Sequence, residues 1–277
     1  MRKVLAISGG VDSMLLFSLF ADDKTAVVAH FDHGTRPSSQ DDAKFVERIA
    51  KNHGLSFFLG HGRLGENVSE AEARTARYRF LYKVAEEVNG EIYTAHHLND
   101  LVETIAINFL RGTGWRGLAP FSNDNIRRPF LEKGYTKKDI LKMAAEKNIV
   151  FRQDPTNVSD NYLRNRVRER SSELSEEVLK SLYDQYQKQV AIRATIENEI
   201  TNLLPKDGRY NRKWLSKMHS EVALEILRAA LKKVGVNATR PQVQDFLAAI
   251  TSYLPEKKYN LPGGKMVTMH KHDFILK

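Results

Sequence analysis

Ser8, Asp12 and Ser13 surround a glycine pair in the string Ser8-Gly9-Gly10-Val11-Asp12-Ser13. Two hydroxyls, two glycines and a carboxylate at this spacing suit a polyphosphate. Ahead of them, residues 3–7 (Lys3-Val4-Leu5-Ala6-Ile7) read as a buried parallel strand, and residues 14–20 behind them read as a buried helix. A strand, a tight turn and a helix start make an anion site, because unpartnered N–H groups and the helix dipole face one point. Glycine lets the backbone come close to a phosphate, and Ser8 and Ser13 add hydroxyl donors. Asp12 beside a phosphate is repulsive unless Mg2+ lies between them. The competing explanation is an ordinary strand-to-helix turn.

Four further segments carry candidate groups. His30-Phe31-Asp32-His33-Gly34-Thr35-Arg36 reads as a loop beside a nucleotide; His30 and His33 lack the third ligand that spacing would have to supply for a metal. Arg74 and Arg77 share a helix face at i,i+3 and can clamp an anion, or merely form surface ion pairs. His96, Asp100 and Glu103 fall near one helical stripe, suited to orienting a base, holding a metal or taking a proton; helix capping by Asn99 or Asp100 is the alternative. Residues 110–118, with Arg111, Gly112, Gly114 and Gly117, read as a mobile flap or a linker turn. Beyond Asp154-Pro155-Thr156-Asn157, Tyr162, Arg164 and Arg168 combine a stacking surface with cations spaced i,i+4, which suits single-stranded RNA.

The elements that must position these groups alternate. Strands are expected at 3–7, 26–31, 56–59 and 91–95, and helices at 13–20, 40–51, 69–88 and 98–110. This pattern predicts an α/β fold, a doubly wound parallel sheet whose ligands bind beyond the C-terminal strand ends. The expected organisation is a catalytic domain over 1–180, a connecting helix over 181–208 that overlaps a helical stretch from about 171 to 203, and a small, mostly helical domain over 209–277 that finishes in short strands near 261–264.

The 277 residues contain no cysteine, which excludes disulfides, thiolate metal sites, cysteine nucleophiles and persulfide relays. Net charge is +9, and residues 111–170 hold 14 Lys/Arg against 7 Asp/Glu, the best placed footprint for a phosphate backbone. No signal pattern and no long apolar run are visible, so a cytoplasmic protein with no membrane partner is expected.

The string at 8–13 resembles the pyrophosphate loop of the N-type ATP pyrophosphatases. Taken with HFDHGTR at 30–36, EARTARY at 72–78, AHHLNDLVET at 95–104, LRGTGWRGL at 110–118, RPFL at 128–131 and DPTNVSDNYLRNRVR at 154–168, the chain resembles the tRNA(Ile)-lysidine synthetases. Leu101 and Pro155 stand where that family more often has Gln and Ser. The chain ends near Leu261-Pro262-Gly263-Gly264, so the further C-terminal domain of longer members is expected to be absent.

The resemblance implies an adenine nucleotide alpha-hydrolase-like fold and a two-step reaction. ATP adenylates the C2 oxygen of the wobble cytidine of a CAU-anticodon tRNA(Ile), releasing pyrophosphate; free lysine then attacks C2 and expels AMP. The implied catalytic centre is Asp12, Arg74, His96 and Asp100, with Asp12 and Asp100 holding Mg2+. The implied ATP site is Ser8, Gly9, Gly10, Val11, Asp12, Ser13, His30, Phe31, Arg111 and Gly112, and the implied tRNA contacts are Tyr162, Arg164 and Arg168. A second copy of the chain is an expected partner. A tRNA thiolase and a glutamine-dependent synthetase are disfavoured by the lack of cysteine. Another tRNA-modifying enzyme of this superfamily, or a tRNA-binding homologue without catalysis, stays open.

Overall fold

Val4 and Leu5 face opposite sides of the first strand, β1 (Arg2–Ala6), and both are completely buried. This period-2 placement with apolar groups on both faces marks a sheet covered on both sides. A computed structural model describes residues 1–34, 39–62, 69–122, 125–152 and 162–277, with the side chains of 70, 162–165 and 172 left out of that description. The chain divides into two units, Met1–Val190 and Ala191–Lys277.

The first unit runs β1, α1 (Val11–Phe20), β2 (Ala26–Asp32), α2 (Ser39–Asn52), β3 (Ser56–His61), α3 (Glu70–Val88), β4 (Gly90–Tyr93), α4 (Leu98–Leu110), β5 (Ile126–Arg127), α5 (Pro129–Glu132), α6 (Lys137–Glu146), α7 (Tyr162–Ser172) and the start of α8 (Glu176–Leu203). Its five strands are all parallel, in the order β3-β2-β1-β4-β5. Leu5, Ile7 and Val28 pack with α1, α2 and α6 residues such as Leu15, Phe45 and Ile140 on one face. On the other face Val4, Val27, Ala29 and Ile92 pack with Leu81 and Val84 of α3.

The chain winds from β1 through β2 to β3 on one side, then returns to place β4 on the other side of β1. The C-terminal ends of β1 and β4 therefore flank the topological switch point, where open α/β sheets bind ligands. The doubly wound parallel sheet expected from the alternation is present. β5 escaped the sequence reading because two residues carry no periodic signal. The long helical stretch expected over about 171 to 203 is α8, which ends at Leu203 as expected and starts at Glu176, after α7 has ended at Ser172. There the Ser175 hydroxyl accepts from the Val178 N–H at 3.3 Å, starting a new helix.

The second unit begins within α8 and adds β6 (Arg209–Asn211), α9 (Arg212–Lys217), α10 (Ser220–Lys233), α11 (Arg240–Ser252), β7 (Lys257–Asn260), β8 (Met266–Met269) and β9 (Asp273–Ile275). Its core gathers Leu227, Phe246, Met269 and Phe274 beneath an antiparallel sheet ordered β6-β9-β8-β7. Leu261–Gly264 connects β7 to β8, so the short strands expected near it flank it on both sides.

Candidate nucleotide site at the switch point

Gly9 has φ +96°, a conformation that favours glycine, and Gly10 caps α1 in extended geometry without a side-chain hydrogen bond. The first-turn amides of α1 thus have no side-chain acceptor and open on a cavity of about 720 Å3. Ser8, Gly9, Gly10, Val11, Asp12 and Ser13 all line it, with Thr94, His96 and Asp100 from the β4 end and Lys137 from the start of α6.

Ser13 braces the turn. Its hydroxyl oxygen accepts from the Ser8 and Gly9 amides, each at 3.1 Å, and donates to the Gly10 carbonyl at 2.9 Å. Its proton is therefore spent inside the loop, unlike the outward donor the sequence suggested. The Gly9 carbonyl accepts from the Arg152 amide at 3.0 Å, and the Arg152 guanidinium pairs with Asp42 at 2.5 Å.

Asp12 meets Lys137, whose ammonium lies 2.5 Å from the Oδ1 carboxylate oxygen. His97 sits between the two candidate metal carboxylates: Nε2 is 4.0 Å from Asp12 Oδ1, and Nδ1 is 3.5 Å from Asp100 Oδ2. Asp100 also accepts the His97 backbone N–H at 2.9 Å, so it closes the α4 N-terminus as well as facing the cavity. Asn99 Oδ1 accepts the Lys137 amide at 2.8 Å, joining the starts of α4 and α6. Two hard oxygen donors, Asp12 and Asp100, front one cavity, which fits Mg2+ held by one or two carboxylates plus phosphate oxygens. Among the described residues no cluster of three His, Asp or Glu forms a cage by itself.

His96 precedes α4 instead of lying on its stripe, and its ring stacks on Phe121 at 5.3 Å. Nδ1 lies 2.8 Å from the Thr94 hydroxyl. Burial, followed by the positive charges of Arg77, Arg128 and Arg74, pushes its pKa well below the ordinary imidazole value. These surroundings favour the neutral imidazole.

A second cavity of about 330 Å3 is lined by His33, Arg74, Arg77, His96, Asp100 and Glu103, among others. Arg74 is exposed and lies over the Tyr78 ring at 4.9 Å. It borders this second cavity alone, whereas its neighbour Arg77 borders both. Glu103 is 5% exposed on α4 and receives two hydrogen bonds from Arg168 of α7. Burial raises the Glu103 pKa, against the opposing pull of Arg168.

Four residues assigned to ATP are not among the lining residues of either cavity. His30 is buried, with Nδ1 2.8 Å from the Ile7 carbonyl, so its ring is engaged within the sheet. Phe31 packs on His33 and Phe80. Arg111 and Gly112 follow the C-terminal end of α4, away from the α1 turn at its N-terminal end, and line neither cavity. Arg36, residues 154–157 and the side chains of Tyr162 and Arg164 lie outside the described residues.

Sequence reasoning passed over Lys137, His97 and Arg152. A detectable signal existed for the first. Thr136-Lys137-Lys138-Asp139 is a capping box with cations at the positive end of a helix, where the dipole disfavours them.

A family model described as a PP-loop domain matches residues 1–174. The chain is 34% identical over 191 residues to a tRNA(Ile)-lysidine synthase of Thermosipho africanus, covering 64% of this chain and 44% of that one. It is 31% identical over 257 residues to a tRNA(Ile)-lysidine synthase of Thermotoga maritima, covering 83% and 60%. A Thermus thermophilus protein of the same name is 39% identical over 163 residues, covering 56% and 32%. The chain thus spans between 32% and 60% of the length of these relatives. Among solved structures, a U34-tRNA thiolase of Methanococcus maripaludis shares the fold, with TM-score 0.56 and 16% identity over 69% of this chain and 73% of that one.

Proposed function

The chain belongs to the PP-loop domain family, and on that premise we propose that it is an ATP-dependent ligase that builds lysidine at the wobble cytidine of a CAU-anticodon tRNA(Ile). The observation that carries this reading is the uncapped start of α1, which opens at the sheet's switch point on a cavity bordered by Asp12, His96, Asp100 and Lys137. Likeness to several synthases of that name supports the choice of substrate.

The α1 amides bind the polyphosphate, aided by the helix dipole. The C2 oxygen of the cytosine attacks the α-phosphorus of ATP; the bond to the β-phosphate oxygen breaks, and pyrophosphate leaves. The lysine ε-amine then attacks C2, the C2–oxygen bond breaks, and AMP departs while the amine loses a proton. That amine must be neutral to attack, so a nearby acceptor is required. Neutral His96 and the Asp100 carboxylate are the acceptors at hand. Mg2+ held by Asp12 and Asp100 would neutralise charge on the polyphosphate. Arg74 and Arg77 suit an anionic group of either substrate. Arg164 and Tyr162 remain proposed RNA contacts. No helix of the described residues is long and apolar enough to cross a membrane.

The test is mass spectrometry of the wobble nucleoside after incubation with tRNA, ATP and lysine. A lysine adduct on C34 of the CAU transcript, absent from a UAU transcript, is expected. Thiolation, equal modification of both transcripts or no modification would overturn the reading.

A further inference from the structure

Lys137 occupies a position that helix formation does not explain. It is the first residue of α6, where the dipole disfavours a cation. Its backbone N–H is held by Asn99, and Thr136 and Asp139 close the helix end around it, so the main chain stays fixed whatever side chain stands there. The side chain nevertheless reaches Asp12, 125 positions away. The two side chains are 38% and 34% exposed, and both front the cavity formed by Gly9, Gly10 and Val11. An ion pair so accessible to water adds little to stability, too little to account for the placement. One ammonium rests on the single carboxylate of the glycine turn, where the counter-cation of a bound polyphosphate would arrive.

We propose that Lys137 is an exchangeable counter-ion of this site. It neutralises Asp12; when nucleotide enters, it swings to a phosphate oxygen and leaves Asp12 to the cation that accompanies the ligand. The four-carbon stem and compact charge suit such a movement better than a planar guanidinium would. Only the partner of the Lys137 ammonium changes. This inference rests on the reading of the cavity as a nucleotide site.

Calorimetric titration of wild type, Lys137→Met and Lys137→Arg with ATP, pyrophosphate and adenosine, in the presence of magnesium, tests it. Lys137→Met is expected to weaken ATP and pyrophosphate about ten- to hundredfold, the loss of a charge-assisted contact. Adenosine affinity and the thermal midpoint should hold, and Lys137→Arg should recover part of the loss. Unchanged ATP and pyrophosphate binding in Lys137→Met overturns this inference alone, as does a parallel fall in adenosine binding. Failure of the wild type to bind either polyphosphate overturns the nucleotide reading and this inference with it.

Discussion

Glu103 and Arg168 form a two-point ion pair between α4 and α7, with Nε to Oε1 at 3.1 Å and Nη2 to Oε2 at 3.4 Å, across 65 positions. The carboxylate is buried and the guanidinium about half exposed. Arg168→Ala would leave Glu103 buried without its partner, at a cost of roughly 1–3 kcal/mol once solvent access to the arginine is allowed for. Chemical denaturation should show that loss. Because Glu103 already neutralises Arg168, the slope of log affinity against log salt for tRNA should change by less than the ~0.7–0.9 expected of a free phosphate contact. A full unit of change would make Arg168 a direct RNA contact.

Asp12→Asn should abolish AMP formation while the fold persists. Loss of one electrostatic contact to a developing charge typically costs ~10²–10³ in rate. Turnover near the wild-type value would remove Asp12 from the chemistry.

Ser13→Ala should loosen the turn itself. The Ser8 and Gly9 amides lose their shared acceptor, and each polar group left unpaired costs roughly 1–3 kcal/mol when shielded from water. ATP affinity and the unfolding midpoint should fall together. A drop in affinity with no loss of stability would assign the hydroxyl to the ligand instead.

Acid should destabilise this protein early. Burial holds the His30, His33 and His96 rings below the ordinary imidazole value of 6.5. The folded state resists protonation that the unfolded chain accepts, so their contribution is fully present above pH 6.5. It is lost as pH falls from there toward the folded-state values. Urea midpoints should be level from about pH 7 to 8 and decline below about 6.5. A midpoint that rises on acidification would contradict the burial of these rings.

Much of this was legible in advance where local pattern and tertiary position agree. The apolar run at residues 3–7 announced a buried parallel strand, and the Gly9-Gly10 pair announced the turn. Residues 98–110 gave helix α4 with its observed limits. What stayed hidden depends on register between distant segments. Lys137 and Arg152 reach the loop from over a hundred positions away, and no local spacing encodes that approach. His96 and His97 are adjacent in sequence, but strand direction and helix entry separate their roles. His97 stands between Asp12 and Asp100, whereas His96 stacks on Phe121. The engagement of the His30 ring with the Ile7 carbonyl, 23 positions away, is likewise a tertiary contact that local spacing does not encode.

β1 precedes its sheet partners in sequence yet stands in the middle of the sheet. On the ribosome it waits for partners: β2 is complete only at Asp32 and β4 only at Tyr93. The glycine turn waits longer, since the amide that holds the Gly9 carbonyl belongs to residue 152. Pairing over such separations is intrinsically slow. A nascent chain that has not reached residue 152 can thus form sheet before it forms a cradle, and partly paired apolar strands of this kind are the aggregation-prone species of folding.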